Sequence, residues 1–312
     1  MDSRSTWSRR QFLSASAGLA VAATAPTDSL TAAEEEMAVI DCHAHIYGED
    51  EQQYPTIEKP YRPPAGTGTV EHLRRVMAAS GVKFATAIHT STFYRWDNRF
   101  TADASRDNKD VLAGVCTLNP DDPTSPATLE KYFREYNIRG MRSIAAQSGK
   151  LDDPGVDALW TKAEELGIVI NVLTNADKRA EIETLVRRHP KLNVVIDHCL
   201  NIAAGPTLQA TVEAMQALAE LPTAHAKLTF MPVGSAEEYP FRDMHEPCRT
   251  VIKAFGPERC VWGSDFPCEL WCPRTTYAGH LKLITHELGL DKQAQRAILW
   301  ETPKRLWFAD RA

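Results

Sequence analysis

From residue 39 onward the chain alternates short apolar runs with stretches whose apolar residues recur at intervals of three and four. Short runs bounded by turn residues predict buried strands, and the longer spacing predicts helices with one buried face. Eight runs of the first kind can be marked, at 39–47, 83–90, 111–118, 138–143, 168–173, 194–197, 226–230 and 260–262. Helical spacing fills the intervals at 70–80, 127–136, 155–166, 178–189, 208–220 and 241–255, and 277–307 reads as two closing helices. In the first of these Val70, Leu73, Val76 and Met77 share a face, and Gly81 supplies the stop. Residues 48–68 break the rhythm. Pro55, Pro60, Pro63 and Pro64 forbid a regular helix there and predict a long loop over one end of the fold.

Strands that alternate with helices at this spacing indicate an α/β protein with a parallel sheet. Eight repeats within about 280 residues fit a (β/α)8 TIM-type barrel over 34–312 better than an open doubly wound sheet. No Gly-rich phosphate loop follows the first strand, which argues against the dinucleotide and P-loop folds.

The ends of these strands carry the chemistry. In such a barrel the C-terminal strand ends share one face. The first run ends in His43 and His45, and residues i and i+2 of a strand project to the same side. Two imidazoles side by side are half of a metal site, a paired acid/base group, or two histidines that meet backbone carbonyls. The second run adds His89, the fourth Arg142, the sixth His198, the seventh Lys227 and the eighth Asp265. Arg142 can grip a carboxylate through two bonds and Lys227 adds a second charge, so an anionic substrate or a developing oxyanion is expected.

Composition bounds the partners. With 312 residues, 43% hydrophobic and 24% charged, the chain is of ordinary globular make-up and can bury a large core. A formal charge of -6 offers no basic field for a nucleic-acid backbone, so a small-molecule partner is expected. Residues 1–33 stand apart. Ser8-Arg9-Arg10-Gln11-Phe12-Leu13 followed by an Ala-rich run at 14–25 resembles a twin-arginine export signal, which predicts a periplasmic or extracellular protein. That apolar run is shorter than the roughly 20 residues a membrane helix needs, and no membrane span is expected in the mature protein. Export makes disulfides permissible, yet seven cysteines leave one unpaired. Cys268 and Cys272 form the one close pair; they could bridge, but unlinked, partly buried thiols are expected, since a chain this large needs no disulfide scaffold.

The His43-Ala44-His45 pair, Val195-Ile196-Asp197-His198 and Trp262-Gly263-Ser264-Asp265-Phe266-Pro267 together resemble the amidohydrolase superfamily. More narrowly they are similar to the amidohydrolase-related branch that includes 2-pyrone-4,6-dicarboxylate lactonase and sugar-acid lactonases. The resemblance extends to the Phe255-Gly256-Pro257-Glu258-Arg259 turn and to Thr302-Pro303-Lys304-Arg305-Leu306-Trp307. It implies that His43, His45, His198 and Asp265 hold one divalent metal, zinc foremost. It also implies that Asp265 and His198 are catalytic, Asp265 taking a proton from the attacking water. The segments at 94–98 and 239–242 resemble family loops that close over substrate. His89, Tyr94, Asn98, Arg142, Lys227 and Tyr239 would then contact it.

Two departures matter. Many metal-bearing members carry lysine or glutamate on strand four and histidine on strand five, where this chain has Arg142 and Thr174-Asn175. A binuclear, lysine-bridged centre is thereby disfavoured. A single ion or a metal-free site, as in some lactonase relatives, remains. The implied activity is hydrolysis of a lactone, or a related cyclic ester or amide, of a small carboxylic or sugar acid. Metal-dependent decarboxylation or hydration of a small unsaturated carboxylic acid is the alternative. A non-catalytic exported binding protein fits less well, because a binder needs no proton acceptor beside three imidazoles.

Overall fold

The computed structural model describes residues 37–311. The export motif at 1–33 lies outside the described residues. Eight strands run in the order of the sequence: β1 (Val39–His45), β2 (Val82–Ile88), β3 (Leu112–Thr117), β4 (Ile138–Ser143), β5 (Val169–Val172), β6 (Val194–Ile196), β7 (Ala224–Leu228) and β8 (Cys260–Trp262). Each pairs in parallel with the next, and helices cover the outside of the sheet, so the fold is a (β/α)8 barrel. Closure does not use β8 itself, which is three residues long. The segment just after it bonds to β1 instead: Asp265 N donates to His43 O at 2.9 Å, and His45 N to Phe266 O at 2.7 Å.

Two layers of core result. Ile40, Cys42, Ala113, Val169, Val195 and Val261 fill the barrel interior, with Trp307 and Phe308 packed against them. A larger layer lies between strands and helices and includes Val39, Ala44, Ile46, Leu73, Leu129, Trp160, Ile196 and Phe255. Strict alternation would set Cys42 and His43 on opposite faces. A register shift between Asp41 and Ala44 resolves the conflict: Cys42 joins the interior cluster, and His43 also turns inward. Such bulges are common where a sheet must re-aim a side chain beside a site.

Element ends differ from expectation in a few places. The helix at 70–80 is Val70–Ala79, where the Thr69 side chain accepts from His72 N at its start. The first strand stops at His45, since Tyr47 N leaves the sheet to bond Gly68 O. β7 spans 224–228 rather than 226–230. The chain enters it directly from the turn in which Ala224 N bonds Leu221 O, and Phe230 already leads into the short helix Met231–Gly234. Between β2 and β3 the chain forms the helices Ser91–Tyr94 and Arg99–Asp107, which the apolar spacing did not reveal. All seven cysteines are buried and unlinked, and the thiols of Cys268 and Cys272 both donate to Ser264 O. Among the described residues no helix is long and apolar enough to cross a membrane.

Candidate active site

At the C-terminal ends of the strands lies a cavity of about 440 Å³. His45, Arg142, His198 and Asp265 reach it, together with Thr90–Thr92 and an apolar wall that includes Phe230, Val233 and Trp271. β1 delivers His43 and His45; the closing segment after β8 delivers Asp265. His43 Nε2 and His45 Nε2 stand 3.3 Å apart, and Asp265 Oδ1 lies 3.5 Å from the first and 3.7 Å from the second. These three are the group whose ligand atoms converge.

The convergence depends on residues behind it. Asp41 is fully buried and ties β1 to the closing segment. Its Oδ1 accepts from His43 N and Ser264 N, and its Oδ2 from Ser264 Oγ at 2.6 Å and Tyr277 OH at 3.0 Å. His45 Nδ1 lies 3.0 Å from Ile88 O, so it carries the proton and leaves Nε2 as an acceptor facing Asp265. Burial lowers the pKa of His43 and His45 well below the usual histidine value, so both are neutral at pH 7. His43 Nε2 and His45 Nε2, facing one another beside a carboxylate, can take a cation between them. A tetrahedral zinc with bonds near 2.1 Å needs ligand atoms about 3.4 Å apart, and the three observed separations match that. The donor set therefore fits a metal of this kind.

A buried ionic cluster lies under the site. Asp197, at the end of β6, meets Lys227 Nζ at 2.8 Å and Arg142 Nε at 3.1 Å, and accepts from Asn171 Nδ2. Burial works to raise its pKa, but the two cations outweigh this and hold it down at about 2. Arg142 Nη2 also reaches His43 Nε2 at 2.9 Å, while Lys227 Nζ lies 3.3 Å from His43 Nδ1. Asp265 behaves oppositely. Burial, with Asp197 and Asp41 nearby, pushes its pKa up to about 7 against the pull of Arg142 and Lys227.

His198 begins a left-handed turn in which all four residues through Asn201 have φ between 49° and 60°. Each non-glycine residue in that region costs about 1–2 kcal/mol, so the surrounding bonds must hold it. Cys199 Sγ donates to Lys227 O, and Asn201 Nδ2 to Thr174 O and Asn175 Oδ1. The turn lays the His198 ring 4.6 Å from that of His43 and brings Nδ1 to 2.6 Å from Thr229 Oγ1. His198, expected as a metal ligand, does not place a ring nitrogen within the converging His43, His45 and Asp265 group. Its pKa is driven down by burial to about 4, so it acts as a neutral imidazole.

Of the residues expected to touch substrate, only Arg142 lines the cavity. Lys227 is wholly buried beneath His43, its ammonium held between Asp197 Oδ1 and the His43 ring. His89 is turned away, its ring bonded to Arg95 O and Thr101 Oγ1. Asn98 clamps loops through Trp96 O, Thr117 O and Thr117 N. Tyr94 OH accepts from Gly48 N within an aromatic cluster, and Tyr239 packs against Phe241 on the outside. Asp41, Asp197 and Trp271 were not singled out from sequence. Asp41 and Asp197 had a signal, an acid one or two residues before a histidine at a buried strand. Trp271 had none, yet its ring lies 5.2 Å from that of His45 and 5.0 Å from that of Tyr61 and walls one side of the cavity.

A parallel barrel whose strand ends join two histidines and an aspartate of raised pKa over a buried cationic floor defines a hydrolase-type centre built for activating water. The amidohydrolase family pattern matches residues 40–309, and the chain belongs to that family. It is 27% identical over 202 residues to an L-fucono-1,5-lactonase of Burkholderia ambifaria, covering 63% of this chain and 69% of that one. It is 25% identical over 276 residues to a 4-sulfomuconolactone hydrolase of Hydrogenophaga intermedia, covering 86% and 88%. Its fold is similar to a solved amidohydrolase from Burkholderia multivorans with bound zinc, with a TM-score of 0.70, 20% identity and coverage of 86% and 99%.

Proposed function

We propose that the protein is a lactonase, opening the cyclic ester of a small hydroxy acid with an activated water. The observation that carries this is Asp265: a carboxylate with pKa near 7, within 4 Å of two neutral imidazoles, at the floor of a cavity sized for a small ring. The two relatives named as lactone hydrolases support the choice of bond.

His43, His45 and Asp265 would hold the metal, and zinc suits the spacing and the ligand types. When bound, it would polarise the ester carbonyl and acidify a water. The residues divide the remaining work. Asp265, through the carboxylate oxygen not bound to the metal, accepts the proton of the attacking water and returns it to the departing alkoxide. In the tautomer where Thr229 Oγ1 donates to Nδ1, His198 would carry Nε2–H as a neutral donor for the developing oxyanion. Arg142 is fixed by Asp197 and adds positive charge to the same region. His43 Nε2 has one lone pair, so it can accept from Arg142 or ligate a metal, but not both.

Purified protein, as isolated and with added zinc, should open lactone rings in a pH-stat assay, and Asp265→Asn should abolish the activity. Turnover of no lactone, or unchanged turnover by that variant, would overturn the reading. The Ser8–Leu13 motif supports export by the twin-arginine route; a product that stays in the cytoplasmic fraction would refute this.

A further inference from the structure

The expectation of an anionic substrate rested on two cations at the rim. Lys227 is buried and paired with Asp197, so among the described residues that line the cavity Arg142 is the one cation. Its charge is already met by Asp197 below and faces Asp265 beside it. A substrate carboxylate would bring a third anion to two cations with no unshared partner, and burying an unpaired charge is costly. A metal between His43, His45 and Asp265 would add charge at the reacting carbonyl, not along the far wall. That wall consists of Leu173, Ile202, Ala203, Phe230, Val233 and Gly234. The polar groups near it are largely committed, Asn201 to Thr174 and Asn175, and Thr90 to His45. Along that wall Ser91, Thr92 and the Asn201 side-chain oxygen are left, few groups for the several hydroxyls of a sugar lactone.

We infer that the preferred substrate is an uncharged lactone bearing a short hydrocarbon substituent, which lies along the Phe230–Val233 wall. The inference rests on the lactonase reading and narrows it. Moving one methylene from water to an apolar wall changes an equilibrium about fourfold, so kcat/KM should rise by about that factor per carbon along a short alkyl series until the cavity is full.

The test is a panel of δ-valerolactone and its 5-alkyl homologues, an aldonolactone, and 2-pyrone-4,6-dicarboxylate, assayed with wild type, Val233→Lys and Val233→Glu. Val233 is 56% exposed at the mouth of the cavity, so a charge there is compatible with folding. The expected result is a rising alkyl series, at least tenfold lower kcat/KM for the aldonolactone and the dicarboxylate, and a partial gain on the dicarboxylate with Val233→Lys but not with Val233→Glu. An aldonolactone or dicarboxylate preferred by wild type, or an alkyl series that stays flat, would overturn the inference and leave the lactonase reading standing. No turnover of any lactone would sink both.

Discussion

Asp265→Asn should kill the enzyme and stabilise the metal-free protein. The carboxyl is buried, and its pKa rises from the usual 3.8 to about 7, chiefly through desolvation. The folded state therefore binds this proton more tightly than the unfolded chain does. Its contribution to stability is full below pH 4 and is lost as pH rises through 7. The whole effect is about 4 kcal/mol at 1.36 kcal/mol per tenfold change in proton affinity. Between pH 5.5 and 8.5 the accessible part is about 2 kcal/mol. An asparagine has the same shape and no charge to desolvate. Urea denaturation of both proteins with chelator present should show the advantage of the variant growing by about 2 kcal/mol over that range. The difference cancels the pH dependence of groups common to both. A flat difference, or one that shrinks as pH rises, would mean that Asp265 is not held in an ionisation-resistant setting, and the two-way proton transfer assigned to it would fall.

Three further changes probe the surroundings. Asp197→Ala leaves Arg142 and Lys227 buried and unpaired, so it should cost about 3–5 kcal/mol in urea denaturation; pairing it with Lys227→Met should recover part of this, and a cost under 1 kcal/mol would contradict the buried cluster. Gly263→Ala places a methyl 2.5 Å from His43 Cβ and 2.9 Å from its backbone nitrogen, so about 1–3 kcal/mol of overpacking should accompany a sharp loss of kcat; full activity would show that the strand-end geometry tolerates shifts. Arg142→Met frees the lone pair of His43 Nε2 and should tighten zinc binding at least about tenfold in a calorimetric titration, given the worth of a charged hydrogen bond; weaker binding would show that Arg142 aids the metal rather than competing with it.

Much of the framework could be read from the chain because it follows local rules. The eight apolar runs mark the eight strands, and the parity of His43 and His45 sets them on one side, though the bulge that turns them inward is not visible in it. Depth is another matter. Lys227 has the right parity, but whether a side chain emerges at the rim or stays under it depends on where β7 stops against its neighbours, which apolar spacing does not encode. His89 failed for a similar reason: the chain turns into the helix Ser91–Tyr94 straight after β2 and swings the ring toward Arg95 O. The loop residues Tyr94, Asn98 and Tyr239 carry polar tips that loops need for their own backbone, and nothing in their spacing distinguishes that use from ligand contact. The left-handed turn at His198 was illegible because no glycine announces it.

The bonds that shut the barrel are also those that hold Asp265 against His43 and His45. They lie beside β8, which at three residues is, with β6, one of the two shortest strands of the sheet. Any fluctuation that unzips this seam pulls apart the His43, His45 and Asp265 group while the other seven strand pairings stay intact. Heat inactivation should therefore run ahead of the loss of helix signal, and the amides of His45 and Asp265 should exchange with solvent sooner than those of β2 to β4. In this protein catalytic competence is a sensitive gauge of whether the barrel is shut.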